Sequence, residues 1–258
     1  MRKPRSYAEV YNDLDGDVVS VFRVLRDPVA AARLQELLTL TPFARDEFVA
    51  AHRGGDVDAI EHARRAIVRS FMGFGSASFH AKGPRGMRTR ASSWTSGKGT
   101  GFRANSQRSG TTPAHDWSRY PELLPLFVDR LRGVVIENRC GLEVVTQHDR
   151  AETLIYADPP YPFSTRDDNR SDYGKEMSDD DHRALAVTLR AARGMVVLSG
   201  YPCALYDAEL FPDWERHERE HMADGARRRV EVVWLNPACV RARRMDRSQG
   251  ELLAEASG

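Results

Sequence analysis

The sequence predicts an α/β chain: a mostly parallel sheet with one reversed strand, finished by a terminal β-hairpin and interrupted by a helical, loop-rich insertion. Three observations predict it. Apolar residues recur at helical spacing through the first half and as short unbroken runs in the second. Those later runs alternate with a helix in strand–helix–strand order, the pattern of parallel sheets. Between the halves lies a long stretch with no acidic residue. The 258 residues, 41% hydrophobic and 29% charged, are enough to bury a sizeable interior and too apolar for a disordered chain.

Ala8-Glu9-Val10-Tyr11 reads as a short strand ending in Asn12-Asp13. Val18, Val21, Phe22 and Leu25 follow at helical spacing. Asp27-Pro28 opens a second helix with a capping carboxylate and a first-turn proline, and Thr41-Pro42 is expected to open a third. Ile60, Ala63, Ile67, Val68 and Phe71 mark a fourth, and Leu123, Leu124, Phe127, Val128 and Leu131 one more before Gly133. Val134-Val135-Ile136 and Thr153–Ala157 then read as buried strands. Ser178 caps a helix whose first turn, Asp179-Asp180-Asp181, suits the helix dipole. Met195–Ser199 is a further buried strand, and Trp214–Glu220 with Arg229–Leu235 form a hairpin about Asp224-Gly225.

Charge is distributed unevenly although Lys+Arg 38 nearly balance Asp+Glu 37. From His62 to His115 there are ten basic residues and no acid: Arg64, Arg65, Arg69, Lys82, Arg85, Arg88, Arg90, Lys98, Arg103 and Arg108. The part from Gly73 to Pro113 is also rich in Gly, Ser and Thr, with Phe74, Phe79, Trp94 and Phe102 interspersed. Cationic loops with aromatics suit a phosphate backbone, because each cation near a phosphate releases counterions. A solvated linker would mix both signs. Three widely spaced cysteines, Cys140, Cys203 and Cys239, argue against a disulfide scaffold or a zinc cluster and for a reducing cytoplasm. No apolar run approaches the roughly 18 residues of a membrane span, and no signal-peptide core follows Met1-Arg2-Lys3-Pro4.

The residues richest in chemistry are Asp158-Pro159-Pro160-Tyr161, at the carboxyl end of a predicted strand, where sites in such sheets lie. The prolines lack N–H groups and fix φ, so they make a stiff ledge with outward carbonyls. Asp158 adds a carboxylate beside the Pro159 carbonyl, and Tyr161 adds a flat ring. Two acceptors and a ring fit a planar heterocycle with an exocyclic amino group. Accepting both amino protons draws the delocalised lone pair back onto nitrogen and directs it at an activated methyl group. In duplex DNA such a base must be flipped out of the stack.

With this tetrapeptide the sequence resembles the adenine-specific DNA methyltransferases of the DNA adenine methylase family, over nearly its whole length. The resemblance implies a Rossmann-like S-adenosylmethionine-dependent core at residues 1–40 and 134–258. It implies a target-recognition subdomain at 41–133, double-stranded DNA as partner, no metal and a monomer. Asp158 and the Pro159 carbonyl would bind the adenine amino group, with Pro160 stiffening the ledge and Tyr161 stacking. Asn12-Asp13-Leu14-Asp15 matches the segment in which Asp13, beside Leu14, would hold the cofactor ribose; Asp158 would also face the cofactor. Gly101–Asn105 and Arg108–Pro113 resemble the recognition region, with Arg103, Asn105 and Arg108 as candidates for phosphate or base-edge contacts. Gly225-Ala226-Arg227 and Glu231–Leu235 resemble the terminal hairpin.

The family's Trp/Gly/Lys segment and the Gly-rich turn after its first strand are not found. The expectation is an N-terminally incomplete core, with a central strand lacking and the cofactor weakly held. The segment Glu137-Asn138-Arg139-Cys140 departs from the family pattern, in which an acidic residue near the position of Cys140 contacts the cofactor's adenine. A catalytically silent DNA-binding relative and a cytosine amino-methyltransferase are the alternatives. Phe71-Met72-Gly73-Phe74-Gly75 follows a helix rather than a strand, so it reads as a hinge and not as a cofactor turn. Asp13-Leu14-Asp15-Gly16-Asp17 hints at a calcium loop, but its glycine is misplaced and Val24 stands where the bidentate glutamate should be. His217-Glu218-Arg219-Glu220-His221 fits a zinc-protease pattern that requires a helix, but its surroundings read as a strand. His80, His115, His148 and His182 read as surface residues.

Overall fold

Residues 5–73, 101–103, 111–165, 176–223 and 227–245 are described by the structure, a computed structural model. They form a mixed α/β fold with two small sheets and several helices. The chain divides at Arg139/Cys140 into two compact units.

In the first unit β1 (Glu9–Asn12) pairs in parallel with β2 (Val134–Glu137), Glu9 opposite Val134 and Asn12 opposite Glu137. Four helices follow β1: α1 (Gly16–Leu25), α2 (Pro28–Leu40), α3 (Arg45–Ala50) and α4 (Ala59–Met72). Caps explain most of their starts. Asp15 accepts from the Asp17 N–H, Asp27 from those of Val29 and Ala30, and Asp58 from that of Glu61. Thr41 does not open α3. Its N–H and hydroxyl both turn back onto α2, to the carbonyls of Leu38 and Leu37, so it ends that helix, and α3 begins at Arg45. A helix absent from the sequence reading, α5 (Pro113–Arg119), is capped by Thr112 and carries Trp117 into the core. There the Trp117 indole donates to the Thr41 carbonyl at 2.7 Å, beside Leu34, Leu38, Phe48, Val68 and Met72. A 3₁₀ turn (Pro121–Leu123) leads into α6 (Leu124–Leu131).

Cations of α4 expected to face a phosphate backbone are consumed within this unit. Glu61 takes Arg64 at 2.6 Å and Arg65 at 2.7 Å, Arg64 also reaches Glu47, and Arg69 pairs with Asp17. The Arg64 partnership holds the Glu61 carboxyl below the usual range, while burial lowers the Arg69 guanidinium.

In the second unit α7 (Gly141–His148), also absent from the sequence reading, precedes β3 (Leu154–Ala157). Then come α8 (Asp179–Ala191), β4 (Met195–Gly200), a π-helical turn (Leu205–Leu210), β5 (Glu215–Ala223) and β6 (Arg227–Leu235). The sheet order is β3-β4-β6-β5, with β6 antiparallel to both its neighbours; it is the reversed strand. Ser178 and Asp181 form a capping box at the start of α8. Entry into β4 is fixed by Gly194, whose N–H donates to Asp149; a Cβ there would meet two backbone oxygens at 2.7 Å. Asn236 continues the ladder beyond β6, taking the Val196 N–H and donating to the Gly194 carbonyl.

Two expectations about burial are corrected. β2 and β3 were expected to be buried, yet Val135 is 49% exposed and Leu154 and Tyr156 are 60% and 64% exposed. Parallel strands are apolar because both faces are normally covered, and β3 is an edge strand. His182, expected at the surface, lies buried on the inner face of α8, 2.9 Å from the Tyr206 hydroxyl. Around it Tyr206, Phe211, Trp214 and Trp234 meet in edge and tilted contacts 4.6–5.4 Å between centroids.

Candidate functional site

In the second unit the parallel register pairs Ala157 of β3 with Leu198 of β4, which sets Asp158 beside Ser199, one residue beyond. The Ser199 hydroxyl reaches Asp158 Oδ1 at 2.7 Å and the Ala157 carbonyl at 3.2 Å. Asp158 is exposed although Ser199 is buried. The Tyr161 hydroxyl lies 3.5 Å from the same Oδ1, a marginal contact. Among the described residues nothing in the protein hydrogen-bonds Asp158 Oδ2 or the Pro159 carbonyl. Asp158 Oδ2 and the Pro159 carbonyl are therefore both without a protein donor among the described residues, in a segment whose φ angles the two prolines restrict.

The tyrosine ring is fixed as well. Tyr161 meets Tyr201 in a T-shaped contact, 4.6 Å between centroids at 67°. Just beyond, the Pro162 carbonyl accepts from the Thr165 N–H and hydroxyl, closing the 3₁₀ turn Phe163–Thr165. Asp158, Pro159, Pro160 and Tyr161 thus share one strand exit, tied to β4 through Ser199 and to Tyr201. Ser199 and Tyr201 escaped the sequence reading because only strand register brings them there. A nearby cleft of about 610 Å³ is lined by Ser164, Pro202, Cys203 and Arg183. Arg183 is tied to Glu209 and Asp180, and burial pushes the Cys203 thiol up, so neither a free cation nor a thiolate is offered there.

Asp13 stands at the carboxyl end of β1 in the first unit, half-buried. Its Oδ1 accepts from the Asp15 N–H and its Oδ2 from the Tyr11 hydroxyl, both at 2.9 Å. Asn12 and Asn138 stitch the ends of β1 and β2 around it through the Arg139 and Asp13 carbonyls. Leu14 beside it is exposed. A carboxylate has about four lone-pair sites, so this turn leaves roughly two of them for ribose hydroxyls; the residues present fit that role. Asp15 and Asp17 are engaged as a helix cap and as an ion pair with Arg69.

Arg103 is held by its backbone N–H on the Met72 carbonyl, anchored by Phe102 among Phe43 and Phe48. Its guanidinium pairs with no carboxylate among the described residues. Asn105 and Arg108 lie outside the described residues, as do Lys82, Arg85, Arg88, Arg90 and Lys98 and the turn at Asp224-Gly225. His217–His221 lies in β5, where positions four apart are about 13 Å distant and cannot share one ion as they would on a helix. No group of three or more potential metal ligands occurs among the described residues, and no helix among them is long and apolar enough to cross a membrane. Compared with models of known protein families and with curated proteins, the chain matches none.

Proposed function

We propose that this protein is a site-specific DNA methyltransferase that modifies the exocyclic amino group of adenine in double-stranded DNA, using S-adenosylmethionine. One observation carries the reading: an exposed carboxylate at a strand end, one oxygen held by Ser199, followed directly by Pro159-Pro160-Tyr161. S-adenosylmethionine, when bound, supplies an electrophilic methyl carbon. Asp158 Oδ2 and the Pro159 carbonyl accept the two N–H groups of a flipped adenine, which concentrates the lone pair on its nitrogen. The Pro159-Pro160 ledge keeps the acceptors in place, and Tyr161 offers its ring to the base. Asp158 then holds the proton that leaves the methylated nitrogen. Asp13, with Leu14 beside it, would hold the cofactor ribose through its remaining lone pairs.

In this reading residues 1–40 and 134–258 make a Rossmann-like core and 41–133 the recognition region. Arg103, Asn105 and Arg108 would contact phosphates or base edges. The test is transfer from tritiated S-adenosylmethionine to duplex DNA, followed by digestion and separation of the nucleosides. Label in N6-methyladenine supports the proposal. Label in N4-methylcytosine would move the assignment to the cytosine enzymes, and salt-dependent DNA binding with no label would mark a silent DNA-binding protein.

A further inference from the structure

We propose that the exit of β4, Ser199-Gly200-Tyr201, is the positioning element of the base site, Ser199 making the Asp158 clamp selective for an amino-bearing base and Tyr201 setting the Tyr161 ring; this rests on the reading of Asp158-Pro159-Pro160-Tyr161 as a base site. The element has three parts. The Ser199 hydroxyl, itself buried, commits Asp158 Oδ1 at 2.7 Å and so fixes the rotation of the carboxylate about its Cβ–Cγ bond. Oδ2 is then presented in a set direction, and a 6-amino group donates to it while a 6-oxo group sets oxygen against oxygen. Tyr201 touches Tyr161 in a T-shaped contact at 67°, which fixes the plane of that ring rather than stacking on it. Gly200 lies between them with the Trp234 ring 3.2 Å from where a Cβ would stand, so packing seats the exit against β6. Ser199 and Tyr201 are positioning residues, acting through Asp158 and Tyr161.

The inference concerns discrimination between bases, so binding tests it without turnover. Fluorescently labelled thymidine pentamers with a central adenine or a central hypoxanthine are titrated into the full chain and followed by anisotropy. Wild type is expected to favour adenine about tenfold, the worth of one hydrogen bond to a charged group. Ser199→Ala is expected to cut that ratio below about threefold, and Ser199→Thr, which keeps the hydroxyl on a strand-compatible side chain, to restore it. Tyr201→Ala is expected to weaken both pentamers by about threefold and leave their ratio intact. Thermal melting of each variant identifies any that fails to fold, and the Thr variant then decides for Ser199. Equal binding of the two pentamers by wild type, no binding of either, or an unchanged ratio in folded Ser199→Ala would overturn the inference. Intact selectivity in a protein that transfers no methyl group would instead remove the transferase reading and leave the positioning role standing.

Discussion

Asp13 and Asp158 occupy the same kind of place, each the first acid beyond a four-residue parallel strand, and the protein uses them differently. Both oxygens of Asp13 hold its own turn, one on the Asp15 N–H and one on the Tyr11 hydroxyl. Among the described residues only Oδ1 of Asp158 is engaged, and its anchor comes from the adjacent strand. A carboxylate tied to its own loop mainly shapes the loop. One tied on a single side to a rigid neighbour is an oriented acceptor. The rest of the first unit follows the Asp13 pattern: Asp15, Asp27 and Asp58 cap helices, and Glu61 gathers two arginines.

If the contrast is right, Asp158→Ala is the most damaging change to activity and one of the mildest to stability. Methyl transfer should fall by at least about a hundredfold, the scale of a lost transition-state contact, with little change in melting temperature. Kinetics with tritiated cofactor beside thermal denaturation measures both, and a large loss of stability would break the contrast.

Asp13→Ala should do the reverse to the fold, costing about 1–2 kcal/mol for two turn hydrogen bonds. Faster amide exchange at Asp15 is the local signature. Unchanged exchange there would show that the turn does not depend on this carboxylate.

Glu61 extends the comparison to pH. The Arg64 partnership holds its folded pKa below the ordinary glutamate value of about 4.5, so its stabilisation is complete above that pH and is lost as pH falls through the lowered folded value. Glu61→Gln should therefore cost about 1 kcal/mol at neutral pH, and the gap from wild type should close on acidification. Urea titrations at pH 7 and pH 3 measure it. A gap that widens in acid would contradict the assigned role.

The smallest effect is expected for Tyr161→Phe. The hydroxyl is 3.5 Å from Asp158 Oδ1, so its removal should slow transfer by less than about threefold. A larger loss would mean that Tyr161, rather than Ser199, orients the carboxylate.

Local signals were the legible part. Asp27-Pro28 and Ser178 announce helix starts through side chains that bond their own backbone, and α2 and α8 begin there. The apolar run Met195–Ser199 and the alternation before and after the hairpin also correspond to β4, β5 and β6. Thr41 misled because a threonine before proline is as good a helix end as a helix start. The exposure of Leu154 and Tyr156 was not legible, because an apolar strand reads alike whether its sheet continues or stops. Nor was Ser199: a serine in an apolar run has no chemistry until register sets it against Asp158. His182 is similar, since its partner Tyr206 is 24 residues away.

The most direct measurement is a crystal structure of the protein with an adenine-containing duplex and sinefungin. The account predicts an everted adenine whose amino nitrogen lies within hydrogen-bond distance of Asp158 Oδ2 and the Pro159 carbonyl, with the Ser199 hydroxyl still on Oδ1. An adenine left in its stack, or a base bound elsewhere with Oδ2 open to solvent, would contradict it.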